Sequence, residues 1–444
     1  MALADSGSHA VARRVHLAAL GYQPMRMKPV HFATNFFLNL SPKTYKHELL
    51  NKAVVIRSKG NNPKDEYVTE YLLPVLVEQG VVTESVSESE LALLRRQLAG
   101  VFDNDGSSVY ATFSPYKPFS SDFTLTSGRL LTAYSKNHGY SGSFLYRVLK
   151  TTRSGQAVLR LGKSFLDAQV LAAEKFAEPL LEPISESRDW DDDYEERFGE
   201  LTKDRLRQIA DMMSLQTAAL EQLANNLQVE GGSSNLRHLV IGLCSWLLLY
   251  MQMMSQDGEV PVLLMDFLQG ENKRVRALSC HTYARERDRF YQSYSLLYQQ
   301  KKLRVAKKEF AALEGVGFKI LEQHYSDLSV RIGFVQPRAH QVRKKHFELQ
   351  PDTLRTLVMS VIPAGKSVTL EELCLRLRTS WGVVAGGCID DQEYLADKGL
   401  KGLNEDEDLE ANRDALKHLL IRLGMANEPS DGLVLCAIDD EAIR

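Results

Sequence analysis

LEANRDALKHLLIRLGMANEPSDGLVLCAI, residues 409–438, is the stretch from which the fold of this 444-residue chain is read. Leu409 to Leu423 has the periodicity of an amphipathic helix, and Gly424 supplies its stop. Met425-Ala-Asn427 and Leu433-Val-Leu-Cys-Ala-Ile438 flank Pro429-Ser-Asp-Gly432, the composition of a hairpin with an Asp-Gly turn. Working upstream, Pro351 to Ile362 is expected as a helix, Pro363-Ala-Gly-Lys366 as a turn and Ser367-Val-Thr369 as a short extended piece. Thr369 caps the next helix, with Glu371 and Glu372 in its first turn and Leu370, Leu373, Cys374 and Leu377 on its apolar face. Trp381-Gly-Val-Val-Ala-Gly-Gly387 breaks that helix, and Asp391 to Lys398 forms another short one. Helices followed by a two-stranded wing give residues 351–444 the winged-helix order. Such a module reads DNA through one helix or docks a protein. The recognition helix would carry Arg413, Lys417, His418 and Arg422, but Glu405-Asp-Glu-Asp408 precedes it and weighs toward a protein.

The order Trp381-Gly382, Asp390-Asp391, Leu409 to Asn412, Leu423 to Ala426 and Ser430 to Gly432 resembles C-terminal modules in accessory proteins of bacterial anti-phage systems. The similarity is to the G component of phosphorothioation-dependent Dnd restriction complexes. It covers the last fifth of the chain and contains no catalytic motif. It implies a noncatalytic subunit working beside a larger ATPase and a nuclease.

Overall charge is near balance, with 54 Lys and Arg against 57 Asp and Glu, but the charge is segregated along the chain. Lys273 to Lys308 holds Lys273, Arg274, Arg276, Arg285, Arg287, Arg289, Lys301, Lys302, Arg304, Lys307 and Lys308 against only Glu286 and Asp288. Tyr283, Phe290, Tyr291, Tyr294 and Tyr298 are interleaved. A basic strip with aromatics suits phosphate contact and base stacking, so DNA is the expected partner. Arg343, Lys344 and Lys345, with Arg338 and His340, form a second basic cluster. Two other readings stay open. Arg285, Arg287 and Arg289 alternate with acids, so pairing along a solvated helix accounts for part of the charge. The same cations could also dock an acidic protein subunit.

The remaining segments give a mainly α fold with minor β and several domains. Residues 1–101 are an irregular lead-in followed by a helical, winged-helix-like module. A helix is expected after Ser41-Pro42, another over Pro63 to Gly80 and a third over Ser87 to Leu98. Residues 102–177 are rich in turns, with helix returning at Phe165–Ala177. Residues 178–200 carry ten carboxylates against Arg188 and Arg197, as an exposed linker would. Residues 201–350 form a helical domain bearing the basic strip, with one long helix over Leu201 to Leu227. Leu239 to Met254 has no charge, yet at sixteen residues it falls short of the ~20 a bilayer needs, so a buried core helix is expected and no membrane. Residues 351–444 close the chain as the winged-helix domain.

Function classes are excluded by what the motifs lack. The apolar fraction of 44% rules out wholesale disorder. Five cysteines without a CxxC pair argue against a disulfide framework and a zinc knuckle, and no secretory leader is visible, so the cytoplasm is expected. Pro363-Ala-Gly-Lys-Ser367 lacks the first glycine of a phosphate loop. No HExxH, His-x-Lys or GxSxG occurs. Asp266 with Glu271-x-Lys273 is the one grouping of nuclease type, but four residues between the acids are too few for the hairpin such sites need. No catalytic residue, metal, cofactor or small-molecule substrate is therefore expected. The expected role is a noncatalytic, DNA-associated subunit of a defence or restriction assembly. The alternatives are a pure scaffold and a divergent metal-dependent nuclease centred on Asp266, Glu271 and Lys273.

Overall fold

The computed structural model describes residues 20–22, 24, 29–40, 43–45, 70, 73–80, 87, 141–177, 181–183, 202–227, 232–300, 320–337, 344–428 and 433–438. They are mainly helical with short strands, as the sequence led us to expect. They belong to two compact units. One comprises residues 16–147 and 159–205, the other residues 1–15, 148–158 and 206–444.

In the first unit, α1 (Pro29–Leu38), β1 (Lys43–Tyr45), α2 (Leu73–Glu78), α3 (Ser141–Lys150), α4 (Arg153–Ala177) and β2 (Leu181–Pro183) follow in order, α3 and α4 running across its limits. Phe32, Ala33, Phe36 and Phe37 of α1 are fully buried, as are Phe144 and Leu145 of α3. Asn39 donates to Ser143 Oγ at 3.0 Å, and Tyr22 packs on Phe144 with centroids 5.5 Å apart. β1 and β2 pair antiparallel, Lys43 opposite Pro183. Three expectations are corrected here. The lead-in contains α1, a strand replaces the helix expected after Ser41-Pro42, and residues 141–165, read as turn-rich, are helical. In α1 and α3 apolar residues fall at i, i+1, i+4 and i+5, one helical stripe, while their aromatic composition imitates a strand. Of the acidic linker expected over 178–200, Leu181–Pro183 is strand β2 and the rest lies outside the described residues, as does the helix expected over Ser87 to Leu98 apart from Ser87 itself.

The second unit is built around one helix. α5 (Lys203–Met212) and α6 (Ser214–Asn226) are divided at Met213, so the single long helix expected there is two. α7 (Gly232–Met254) follows, and from Leu236 to Met253 its apolar side chains are buried on every side. It contains the one described segment apolar and long enough to cross a membrane, Asn235–Met254, and that segment is almost wholly enclosed by protein. A helix apolar all round requires such enclosure. After it come β3 (Leu263–Leu264), α8 (Lys273–Gln300), α9 (residues 320–331), β4 (Val335–Gln336), β5 (His346–Phe347) and α10 (Pro351–Met359). The C-terminal stretch adds β6 (Val368–Thr369), α11 (Leu370–Trp381), β7 (Val383–Val384), α12 (Asp391–Asp397), α13 (Glu410–Arg422), β8 (Ala426–Asn427) and β9 (Leu435–Cys436).

Helix α7 packs on α6, α8 and α10. Its polar residues are spent on neighbours: Trp246 Nε1 donates to Thr217 at 3.1 Å and Gln252 Nε2 to the Tyr325 hydroxyl at 2.7 Å. Thr369 caps α11 by accepting from Glu372 N, and Gly382 ends it in the left-handed conformation at φ 69°. β7 then pairs parallel with β3, Leu263 opposite Val383. β6, β9 and β8 form an antiparallel sheet in that order, with Cys436 opposite both Val368 and Ala426. Residues on both sides of position 350 belong to this unit.

One buried group makes this unit pH-sensitive. Thr356 gives its hydroxyl proton to Asp352 O and accepts from His238 Nδ1 at 2.8 Å. Burial holds the His238 pKa down from the ordinary 6.5 to about 4, outweighing the Asp352 carboxylate. The fold therefore holds neutral imidazole, while the unfolded chain takes up a proton below pH 6.5. Stability is complete above that pH and is lost as pH falls toward 4, by about 3 kcal/mol in total. In urea unfolding at pH 7 and pH 4.5, wild type should lose about 2.4 kcal/mol more than His238→Gln. Equal losses in the two proteins would show that His238 is not held neutral.

Candidate nucleic-acid interface

Asn272 starts α8 by accepting from the N–H groups of Arg274 and Val275, and its own amide donates to Asp408 at 2.7 Å. Lys273 is exposed at the first position of the helix. Arg274 is 63% exposed and lies 3.6 Å from Glu407 and 3.5 Å from Asp408. Arg276 turns inward. Its Nε donates to Asp266, its Nη1 meets His346 Nδ1 at 2.9 Å, and its Nη2 lies 3.7 Å from Glu348, which in turn bonds His346 Nε2.

Farther along the helix the carboxylate is the buried member. Glu286 is fully buried and receives Arg285 at 2.8 Å, Arg289 at 3.5 Å and the Gln256 amide. Arg285 also donates to Lys398 O at 2.7 Å, and Arg287 pairs with Asp288 at 2.8 Å. Tyr283 and Phe290 are core residues, their rings packed on Tyr325 with centroids 6.0 and 5.9 Å away. Neither can stack on a base, which corrects their expected interleaving with the cations.

The second cluster divides. Lys344 is exposed, while Lys345 is buried with its Nζ against Ser326 Oγ. Lys301, Lys302, Arg304, Lys307, Lys308 and Arg343, with Arg338 and His340, lie outside the described residues. Of the expected nucleic-acid contacts, the structure therefore leaves Lys273, Arg274 and Lys344 on the surface. Arg276, Arg285, Arg287 and Lys345 are drawn into internal bonds, while Arg289, though bonded to Glu286, keeps 41% of its side chain exposed. A count of charge along the chain could not show this, because Asp266, Glu348, Glu407 and Asp408 come from other segments. The acids within the strip, Glu286 and Asp288, were visible in the sequence and do pair with the strip's arginines, but chiefly with adjacent ones, and Glu286 does so in the core rather than on a solvated face.

On α13, Arg413 is bonded to Glu410 at 2.8 Å, and Lys417 lies 3.8 Å from Asp414 and 3.2 Å from Glu428. His418 and Arg422 are exposed. Large apolar side chains also reach solvent in this region: Leu375, Ile389, Ile421 and Leu433, Ile389 being 84% exposed.

Asp266 of the nuclease-type grouping is fully buried and committed to Arg276, its other oxygen having no hydrogen-bond partner. Glu271 and Lys273 are exposed instead. Among the described residues the one set of three ligand atoms from His, Cys, Asp or Glu lying within 4.8 Å of one another is Cys388, Asp390 and Asp391. Arg378 already bonds both carboxylates, at 2.8 and 2.7 Å, while Asp391 also accepts from Cys388 N. The Arg378 hydrogen bond holds Asp390 below the usual carboxylate range, and burial pushes the Cys388 thiol up to about 12. A guanidinium thus supplies the positive charge these acids need, and the thiol stays protonated. Pro363 to Ser367 is a turn following helix α10, with no strand ahead of it. Comparison with known protein families, curated proteins and solved structures finds no match for this chain.

Proposed function

We propose that this chain is a DNA-associated subunit of a cytoplasmic, multi-protein bacterial defence or restriction assembly, one without a nuclease or nucleotide-hydrolysing centre of its own. Residues 351–444 serve in it as a winged-helix module that docks a larger ATPase or nuclease subunit. The observation that supports this reading is the order α10, β6, α11, β7, α12, α13, β8, β9, in which helices precede the paired strands β8 and β9 and β6 joins them in a β6-β9-β8 sheet. Protein docking is favoured over base reading because Arg413 and Lys417 are neutralised locally while Ile389 and Leu433 are solvent-facing.

DNA contact falls to Lys273, Arg274 and Lys344, together with Lys301, Lys302, Arg304, Lys307 and Lys308. Internal pairing of the four other α8 arginines favours the pure scaffold as second reading. Duplex binding measured by fluorescence anisotropy across a salt series separates the two. The DNA-associated subunit binds weakly and with steep salt dependence. Lys301→Glu, Lys302→Glu and Arg304→Glu together then flatten the slope by roughly one unit per cation. Absent binding, or binding indifferent to salt and to these changes, leaves the scaffold.

A further inference from the structure

Lys345 differs from its neighbour Lys344 in a way that bears on chemistry. The side chain is buried, 6% exposed, with Nζ against Ser326 Oγ of α9. It forms no ion pair among the described residues. Tyr283, from α8, hydrogen-bonds the same serine and is itself buried between Tyr325 and Phe347. A buried ammonium whose one hydrogen-bond partner is a hydroxyl is poorly compensated for its lost hydration. Burial lowers the Lys345 pKa, and the Arg287 guanidinium lowers it further, against Asp327 and Glu322, which raise it. The neutral amine is therefore within reach, and its lone pair adjoins a serine hydroxyl. Nucleophile, base and a third residue fixing the hydroxyl are the components of an activated serine. A further donor of the same side-chain group, the Tyr291 hydroxyl, is buried and has no hydrogen-bond partner, although Glu322, Arg287 and Asp288 surround both it and Tyr283.

We propose that Ser326 is a nucleophile toward carboxylic esters, with Lys345 as its general base and Tyr283 as a positioning residue. This goes beyond the subunit function and is independent of it. In the step, Ser326 Oγ attacks the ester carbonyl carbon while its proton passes to Lys345 Nζ. As the carbonyl re-forms, the C–O bond to the alcohol breaks and Nζ returns the proton to the departing oxygen. Water then attacks the acyl-serine by the same route, giving the acid and free Ser326.

A fluorophosphonate tests this on the full chain without knowledge of the natural ester. Oγ–P forms, P–F breaks, and the serine proton goes to Lys345. Peptide mapping should place one adduct on Ser326, formed at a rate that rises with pH about a midpoint below the ~10.4 of an ordinary lysine. Lys345→Met and Lys345→Arg should each slow labelling about a hundredfold, since neither side chain can take the proton. Arginine keeps the charge and a donor, so its loss of labelling separates base from structural support. Ser326→Ala should carry no adduct. No adduct on wild type, an adduct elsewhere, or undiminished labelling in Lys345→Arg overturns the proposal.

Discussion

Asn412→Ala is expected to lower the unfolding free energy of the second unit by about 4 kcal/mol, read as a shift of the urea midpoint with unchanged slope. Asn412 lies on α13, fully buried, and its side chain satisfies three main-chain groups at once. Its oxygen accepts from Phe267 N at 2.9 Å, and its nitrogen donates to Met265 O at 2.8 Å and Ala385 O at 2.9 Å. It thus fastens the segments that follow β3 and β7 to one helix. Each main-chain group left buried without a partner costs ~1–3 kcal/mol, and the missing atoms leave a void besides. Asn412→Asp keeps the acceptor but sets a carboxylate against two carbonyl oxygens, so it should be at least as damaging. A cost below ~1 kcal/mol for Asn412→Ala would mean that these three bonds are made by other groups once the side chain is gone.

Gly382→Val should be of similar severity, for a backbone reason. Gly382 has φ +69°, and a Cβ there would lie 2.0 Å from Pro261 O. Its own carbonyl accepts from Leu263 N at 2.8 Å, so the residue cannot retreat without breaking the pairing of β3 with β7. Left-handed strain of ~1–3 kcal/mol adds to overpacking of ~1–3 kcal/mol. Gly365 provides the control, with the same φ of +69° and nothing within 4 Å of its Cβ position. Gly365→Ala should cost only the conformational part, ~1–2 kcal/mol. Equal losses for Gly382→Ala and Gly365→Ala in thermal unfolding would remove the steric contribution.

Local chemistry made much of the second unit legible. The Thr369 cap, the apolar stripe around Leu373 and Leu377, the stop at Gly424 and the burial of Leu239 to Met254 each depend on residues a few positions apart. The C-terminal strands could be read for the same reason. Long-range pairing could not. Val383-Val384 looked like part of a break because its partner, Leu263-Leu264, lies in another segment. Asn412 looked like one polar residue on an amphipathic helix. The partners of the cations were out of reach on the same ground, since Arg276 bonds Asp266 and Glu348, and Arg285 bonds Lys398 O as well as its neighbour Glu286. Lys345 was counted among them because composition distinguishes no inward lysine from an outward one. Ser326 carried no signal at all, since it sits in no nucleophile motif.

The parallel contact between β3 and β7 joins residues about 120 positions apart in the chain. During synthesis at ~5–20 residues per second, Leu263-Leu264 leaves the ribosome roughly ten seconds before Val383-Val384 exists to cover its edge. Throughout that interval an apolar, unpaired strand beside a nascent α7 is the kind of surface that chaperones bind and that neighbouring nascent chains add to. Late ordering of the C-terminal residues thus makes them the seal on the earlier core, and losing them should send the rest of the unit into aggregates before it can fold.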